Sequence, residues 1–158
     1  MSRGQPRLAH AECCQLMAQR IIYLVACVNK KHLVPMEARD LYSSAWFEKA
    51  AELADRRADQ WFVLSAKHGL LDPNRVIAPY ELPLSSRTAT ERRIWAKEVV
   101  QSLLSGLSSL DRVVIFAGKL YRENLVSPII EHGCKVEIPM EGLRIGEQLQ
   151  WLNERLKE

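Results

Sequence analysis

Short apolar runs alternate with longer stretches of helical periodicity along the chain. Four runs rich in Val, Ile and aromatic residues are continuous rather than alternating, which is typical of strands buried on both faces of a parallel sheet. These runs are Ile21–Cys27, Trp61–Ser65, Arg112–Ala117 and Cys134–Ile138. The pattern therefore predicts a four-stranded, mainly parallel sheet.

Helical patterns fill the intervals between the runs. Pro35 suits the start of one helix, Thr88-x-x-Glu91 forms a capping box, and Gly133 suits the end of another helix. The predicted helices are Leu8–Arg20, Met36–Arg57 as one helix or as two broken at Ser43–Ser44, Thr88–Leu107, Lys119–His132 and Arg144–Leu156. This alternation predicts a three-layer α/β sandwich with right-handed crossovers. No repeat, low-complexity stretch or linker interrupts residues 1–158, so we expect a single domain.

The connection between Ser65 and Thr88 breaks the alternation because it is more than twenty residues long. Compact domains rarely keep loops of this length unless the loops have a function. The connection also leaves the carboxyl end of a predicted strand, where open α/β sheets bind ligands. We therefore expect residues 66–87 to form a long loop over the carboxyl edge of the sheet.

Composition narrows the class of protein. Apolar residues make up 47% and charged residues 26% of the 158 residues, as in an ordinary globular domain. No apolar run approaches the ~20 residues that span a bilayer, and no signal-peptide core follows the charged N terminus. The four cysteines and four histidines show no metal-binding or C-x-x-C spacing. We therefore expect a cytoplasmic monomer with reduced thiols, no membrane association, no metal and no cofactor.

Basic residues follow the predicted strand ends, although the formal net charge is only +3. Because the carboxyl ends of parallel strands share one edge, these cations would line a single rim and attract phosphates. The candidate phosphate-binding residues are Lys30, Lys31, Arg87 and Arg122. The alternative is a solvated rim that only keeps the protein in solution.

Two residues directly after the second predicted strand are candidates for catalysis. Lys67 and His68 follow Ser65, and a histidine at this position can donate to a developing anion or move a proton near neutral pH. The alternative is a histidine that is bonded to its own loop backbone. Asp40 is a candidate carboxylate, with Glu81 and Glu141 as rivals, although an aspartate near a helix start also serves the helix dipole.

Aromatic and polar residues near the same edge are candidates for holding a base. Tyr80 lies in a loop stiffened by three prolines, so it can be held ready for stacking, or it can pack as a lid residue. Tyr42 is a candidate pocket wall. Several familiar sites are absent, since the chain contains no Walker A loop, no G-x-G-x-x-G and no G-x-S-x-G.

Three sequence blocks carry a resemblance to a known family. They are Ser65-Ala-Lys-His-Gly-Leu-Leu71 followed by Ile77–Tyr80, Ala38–Tyr42 with Ser44 and Phe47, and Gly142–Gly146 with Gln148 and Leu149. This combination resembles a family of small bacterial α/β proteins with a strand–S-A-K-x-G-L-L–P–Y block, and the central block is similar to that of the YaaA peroxide-stress proteins, which bind DNA. The family's first block has Ser-Cys-x-x-Lys, whereas this chain has Ala26-Cys27-Val-Asn-Lys30. The chain also resembles the rhizobial-type uracil-DNA glycosylases.

The resemblance implies a fold like that of uracil-DNA glycosylase and hydrolysis of the N-glycosidic bond of deoxyuridine in DNA. The motifs of the standard enzymes are not visible, so the roles are argued from the chemistry. Lys67 or His68 would donate to uracil O2, Tyr80 or Tyr42 would stack, and Asn29 would bind the base edge. The base-binding set is completed by Ser65 and Glu81, and Asp40 or Glu81 would orient water. The alternatives are a glycosidase or transferase acting on a free nucleoside or nucleotide, and a non-catalytic DNA-binding protein of the YaaA kind.

Overall fold

Five strands form the main sheet in the computed structural model, which describes residues 19–158. The strands of the chain are β1 (Ile21–Ala26), β2 (Met36–Glu37), β3 (Gln60–Ser65), β4 (Gly69–Leu71), β5 (Val76–Ile77), β6 (Arg112–Phe116) and β7 (Lys135–Glu137). The order in the main sheet is β4-β3-β1-β6-β7, and β2 pairs with β5 in a separate two-stranded sheet. The neighbours β3-β1-β6-β7 are parallel, and β4 is antiparallel to β3.

Helices lie on both faces of the main sheet. They are α1 (Ala38–Leu41), α2 (Ala45–Arg57), α3 (Ala89–Leu104), α4 (Lys119–Arg122), α5 (Val126–Glu131) and α6 (Ile145–Leu156), with a 3-10 turn at Leu84–Ser86. On one face Tyr23 packs on Phe116, and Phe116 packs on Trp151 of α6. Ile22 lies on the other face beside Leu103 of α3. Because successive strand residues alternate between faces, the central strand is covered by a helical layer on each side.

The continuous apolar runs are explained by this burial. In β1, Leu24 and Val25 are fully buried, and the strand pairs with β3 and β6 on its two sides. The predicted α/β class, the flanking helices and the mainly parallel sheet are confirmed. Each of the four predicted strands is present.

The predicted number of strands was wrong because the segment 66–87 supplies a fifth. Gly69 has a φ of +70°, which is strained for other residues, and it lets the chain reverse into β4 directly after β3. Three residues are too short to show a strand pattern in the sequence. The main sheet is therefore mixed.

The segment 66–87 covers the carboxyl edge only in part. After β4 the chain runs to the amino end of β3, where Pro73 and Asn74 flank a cavity together with Trp61. There the Arg39 amide donates to the Pro73 carbonyl, at 2.9 Å. The chain then forms β5 against β2 and returns to the carboxyl edge at Tyr80. The prediction of one long loop was therefore wrong for residues 69–77.

The predicted helices differ from the observed ones mainly at their ends. Met36–Arg57 is broken at Ser43–Ser44, as one of the two alternatives predicted, and the Ser44 side chain caps α2 by accepting from the Phe47 amide. Its first residues form β2 rather than helix. The capping box of Thr88 and Glu91 is confirmed, whereas Lys119–His132 divides into α4 and α5.

The predicted helix Leu8–Arg20 falls almost entirely outside the described residues, and residues 19 and 20 are not helical. Among residues 19–158, no helix has both the length and the apolar composition that crossing a membrane requires.

Candidate functional site

The strand order marks one point on the carboxyl edge as the natural ligand site. From β1 the chain continues to β3 on one side of the sheet and later to β6 on the other side. Ligands of open α/β sheets bind at such a switch point, outside the carboxyl ends of the strands. Here the Cys27 thiol at the end of β1 lies 3.4 Å from the hydroxyl of Tyr121 in α4, which follows β6. The two sides of the switch point are thus in contact.

A line of three hydroxyl groups lies beside this point. The Tyr80 hydroxyl is 2.7 Å from the Ser65 hydroxyl and 2.7 Å from the Tyr42 hydroxyl. The Ser65 oxygen also accepts the backbone amides of Lys67 and His68, at 3.3 and 2.9 Å. We call Ser65, Tyr80 and Tyr42 the hydroxyl chain.

The backbone amides fix the direction of the first hydrogen bond in the hydroxyl chain. A hydroxyl oxygen accepts two hydrogen bonds and donates one. With both acceptor positions of Ser65 taken by amides, Ser65 donates to Tyr80. Tyr80 can then either donate to Tyr42 or accept a second bond from it, and in both arrangements one phenolic hydrogen has no acceptor among residues 19–158. Burial raises the pKa of Tyr42 to about 12 and also raises the pKa of Tyr80, so both phenols are protonated at neutral pH.

Lys31 is held over this chain by the backbone. It forms an isolated antiparallel bridge with Tyr42, and the Ser43 amide donates to the Lys30 carbonyl at 3.0 Å. The Lys31 ammonium group lies 4.5 Å from the centre of the Tyr80 ring and 5.6 Å from that of Tyr42. It donates to the Asn29 carbonyl at 3.1 Å. Burial lowers the pKa of Lys31.

Lys67 and His68 approach the same tyrosine from the turn after β3. The Lys67 ammonium group is 5.8 Å from the centre of the Tyr80 ring, and the His68 ring lies edge-on to Tyr80 with the centres 5.5 Å apart. The Nε2 atom of His68 is buried and has no hydrogen-bond partner among the described residues. Burial, with help from the charges of Arg75 and Lys67, lowers the pKa of His68. A neutral imidazole with a free ring nitrogen is therefore available near neutral pH.

A cavity of about 210 Å³ lies at the same carboxyl edge, between the ends of β6 and β7. Its floor is apolar and includes Ile115 and Met140, and its rim includes Lys119 and Arg122 of α4. Arg122 donates to Glu141 at 3.1 Å. Helix α4 therefore contacts Cys27 through Tyr121 and lines the cavity through Arg122.

The cations of this edge differ in whether they have an acidic partner. Arg122 forms a salt bridge with Glu141. Within residues 19–158, Lys30, Lys31, Lys67 and Arg87 form no salt bridge. Four cations without carboxylate partners leave positive charge at the rim, and such charge attracts anions.

Six of the residues predicted from the sequence lie together at this edge: Lys31, Tyr42, Ser65, Lys67, His68 and Tyr80. The structure does not bring Asp40 to them, since it is exposed on α1 and its side chain bonds to none of them. Glu81 and Asn29 are exposed, although the charge of Glu81 acts on Lys31. Tyr42 and Tyr80 are 1% and 9% exposed, so their rings are not open stacking surfaces in this conformation.

Two of the residues that line the cavity were candidates from the sequence, Arg122 for phosphate binding and Glu141 as a rival carboxylate. Gly118, Met140 and Gly142 had no predicted role, although their position after β6 and β7 is a signal for the carboxyl edge. Cys27 is buried at the end of β1, with 8% of its surface exposed. Its contact with Tyr121 joins elements that are far apart in the sequence, so no local sequence pattern predicts this contact.

A family model described as a family of unknown function (DUF6884) matches residues 22–154. The chain belongs to the DUF6884 family. The DUF6884 match includes the hydroxyl chain, Lys31, His68 and the cavity. The chain is also similar to the uncharacterized protein YfjM of Bacillus subtilis (strain 168), with 31% identity over 131 residues that make up 78% of this chain and 83% of that protein. No solved structure matches the chain.

Proposed function

We propose that this protein is a uracil-DNA glycosylase that hydrolyses the N-glycosidic bond of deoxyuridine in DNA and acts in base excision repair. The observation that carries the proposal is the convergence of Lys31, Lys67 and His68 on the ring of Tyr80. Three donors at one point of the carboxyl edge suit a reaction that leaves a negative charge on its product. The resemblance of the Ser65–Leu71 block supports the same choice.

The chemistry of the bond defines what each group would do. Cleavage builds negative charge on uracil O2 and positive charge on the sugar. His68 would donate to O2 as a neutral imidazole, or Lys67 would donate as a cation, and Lys31 would add a favourable field. Asp40, Glu81 and Glu141 are the candidates for orienting water, and among them Glu81 already influences Lys31. The reaction would need no metal and no cofactor.

The hydroxyl chain would position these donors rather than stack on the base. Ser65 accepts the amides of Lys67 and His68, so the turn that carries both candidates is tied to Tyr80. Asn29 is exposed beside Lys31 and would bind the edge of the base at the entrance. The base would have to leave the DNA stack to reach this edge.

The cations that form no salt bridge within residues 19–158 support DNA as the form of the substrate. Lys30, Lys31 and Arg87 would hold phosphates, since phosphate contacts dominate DNA affinity. Arg122 would join them only in competition with Glu141. We infer a cytoplasmic monomer whose α/β sandwich is related to the uracil-DNA glycosylase fold. The parallel order β3-β1-β6-β7 and the carboxyl-edge cluster support that relation.

One assay separates this function from its alternatives. The protein is incubated with DNA that contains a single uracil, with matched thymine DNA, and with free deoxyuridine, and released base and alkali-labile sites are measured. We expect release from uracil DNA alone. Release only from the free nucleoside would favour a nucleoside glycosidase, and salt-dependent DNA binding without any release would favour a binding protein. Either result would overturn the proposal.

A further inference from the structure

Lys31 has the surroundings of an amine that reacts rather than one that only holds charge. The backbone bridge to Tyr42 fixes its position, and the side chain is half-buried. Its amino group contacts the Asn29 carbonyl and the Tyr80 ring, and it forms no salt bridge with any described residue. A lysine without a carboxylate partner and partly removed from water gives up its proton more readily than a solvated one. The lowered pKa of Lys31 agrees with this geometry.

A proton donor lies beneath this amine. The hydroxyl chain links Ser65, Tyr80 and Tyr42, and one of the two phenolic hydrogens has no acceptor among residues 19–158. Lys31 lies over the rings of both tyrosines. Both tyrosines are kept protonated by burial. An amine close to a protonated hydroxyl is suited to attack a carbonyl group and to return a proton to the oxygen that leaves.

We propose that Lys31 forms a Schiff base with the C1′ aldehyde of an abasic deoxyribose and that the protein thereby also cleaves the DNA strand as a lyase. The inference rests on the proposed function, because release of uracil produces this aldehyde at the same site. The substrate class is an aldose aldehyde in DNA.

Each step is balanced without an oxidant or a reductant. The unprotonated Lys31 amine attacks C1′, and the carbonyl oxygen takes a proton from the surrounding hydroxyl groups or water. The attacking nitrogen then gives one of its protons to the resulting hydroxyl, which leaves as water and leaves an iminium ion. Loss of the C2′ proton to water then breaks the C3′–O3′ bond, and the phosphate leaves as the 5′ end of the downstream strand. Water finally hydrolyses the imine, which frees Lys31 and leaves an unsaturated aldehyde on the upstream strand.

The neighbouring lysines are less suited to this role. Lys30 and Lys67 are both exposed, and neither lies as close to Tyr80 as Lys31 does. Lys135 lies at the start of β7, on the opposite edge of the sheet, and it is exposed. It is therefore a matched control that removes one lysine without touching the site.

The test traps the intermediate on DNA whose abasic site was prepared chemically, without this protein. Sodium borohydride is added to the full chain with this DNA, covalent complexes are separated on a denaturing gel, and the modified peptide is identified by mass spectrometry. We expect the adduct on Lys31, loss of the covalent band in Lys31→Ala and an unchanged band in Lys135→Ala. Because the modified residue is identified in the wild-type protein, the result does not depend on how well a variant folds.

The outcome separates the two proposals. No adduct, or an adduct on another lysine, overturns the lyase inference whatever happens to uracil. An adduct on Lys31 in a protein that releases no uracil supports the Schiff base and overturns the glycosylase. Uracil release without an adduct supports the glycosylase and overturns the lyase inference.

Discussion

The hydroxyl groups of Ser65 and Tyr80 lie 2.7 Å apart, and this hydrogen bond joins the end of β3 to the point where the segment 66–87 returns to the carboxyl edge. Between these residues the chain passes through β4, the amino end of β3 and β5. The bond therefore ties the returning segment to the turn that carries Lys67 and His68. Trp95 strengthens the same point, because its indole N–H donates to the Ser65 carbonyl at 2.9 Å.

The central position of Tyr80 in the hydroxyl chain predicts an asymmetry between two matched variants. Tyr80→Phe removes two hydrogen bonds and leaves the Ser65 hydroxyl without an acceptor, whereas Tyr42→Phe removes only the bond between Tyr42 and Tyr80. Each lost buried hydrogen bond costs about 1 kcal/mol, and up to about 3 kcal/mol when a donor is left unsatisfied. Urea unfolding should therefore show a larger loss of unfolding free energy for Tyr80→Phe. Equal losses would mean that the bond between Ser65 and Tyr80 contributes nothing to stability.

The fold could be predicted from the sequence wherever a strand was long and buried. The four runs of β1, β3, β6 and β7 are continuous apolar stretches, so their burial is visible in composition alone. Strands β2 and β5 have two residues each and are defined by their pairing rather than by a pattern. The path of residues 69–77 depends on that pairing, and for this reason the sequence suggested a loop instead.

The depressed pKa of His68 predicts a change of stability with pH. Its pKa in the folded protein lies below the ordinary value of 6.5, so the unfolded chain takes up a proton first as the pH falls. The free energy of unfolding should therefore decrease as the pH falls through the ordinary pKa of 6.5 towards the lower pKa of the folded protein, because protonation favours the unfolded state there. His68→Gln removes this contribution. A decrease of the same size in wild type and variant, measured by urea unfolding, would show that His68 titrates normally.

Lys30 and Arg122 differ in whether a carboxylate neutralises them, and this difference predicts different salt dependence of DNA binding for their variants. Lys30→Ala should lower the slope of log K against log salt by about one unit, because Lys30 has no salt bridge within residues 19–158. Arg122→Ala should change the slope less, because Glu141 already neutralises that charge. Glu141→Gln frees Arg122 and should steepen the slope. The opposite order of Lys30→Ala and Arg122→Ala would mean that Arg122, and not Lys30, contacts phosphates.

The position of a candidate residue could be predicted most directly where the residue follows a strand. Lys31, Lys67 and His68 follow β1 and β3, and parallel strands bring such residues to one edge. Tyr42 reaches that edge through its backbone bridge to Lys31, and Tyr80 reaches it through the return of the segment 66–87. Asp40 has neither connection, although it is two residues from Tyr42, and proximity in sequence did not bring its carboxylate into the cluster.

The most direct test of the convergence of Lys31, Lys67 and His68 on Tyr80 is the single-turnover rate of uracil release from DNA. For each variant, this rate is compared with the affinity for an uncleavable uracil analogue in the same DNA. Loss of an electrostatic donor costs on the order of 100-fold in rate. We predict a fall of about this size for His68→Gln or Lys67→Ala with little change in affinity, and an unchanged rate for Lys135→Ala at the opposite edge. Release at the wild-type rate by both site variants would contradict the account, and so would the absence of any release by the wild-type protein.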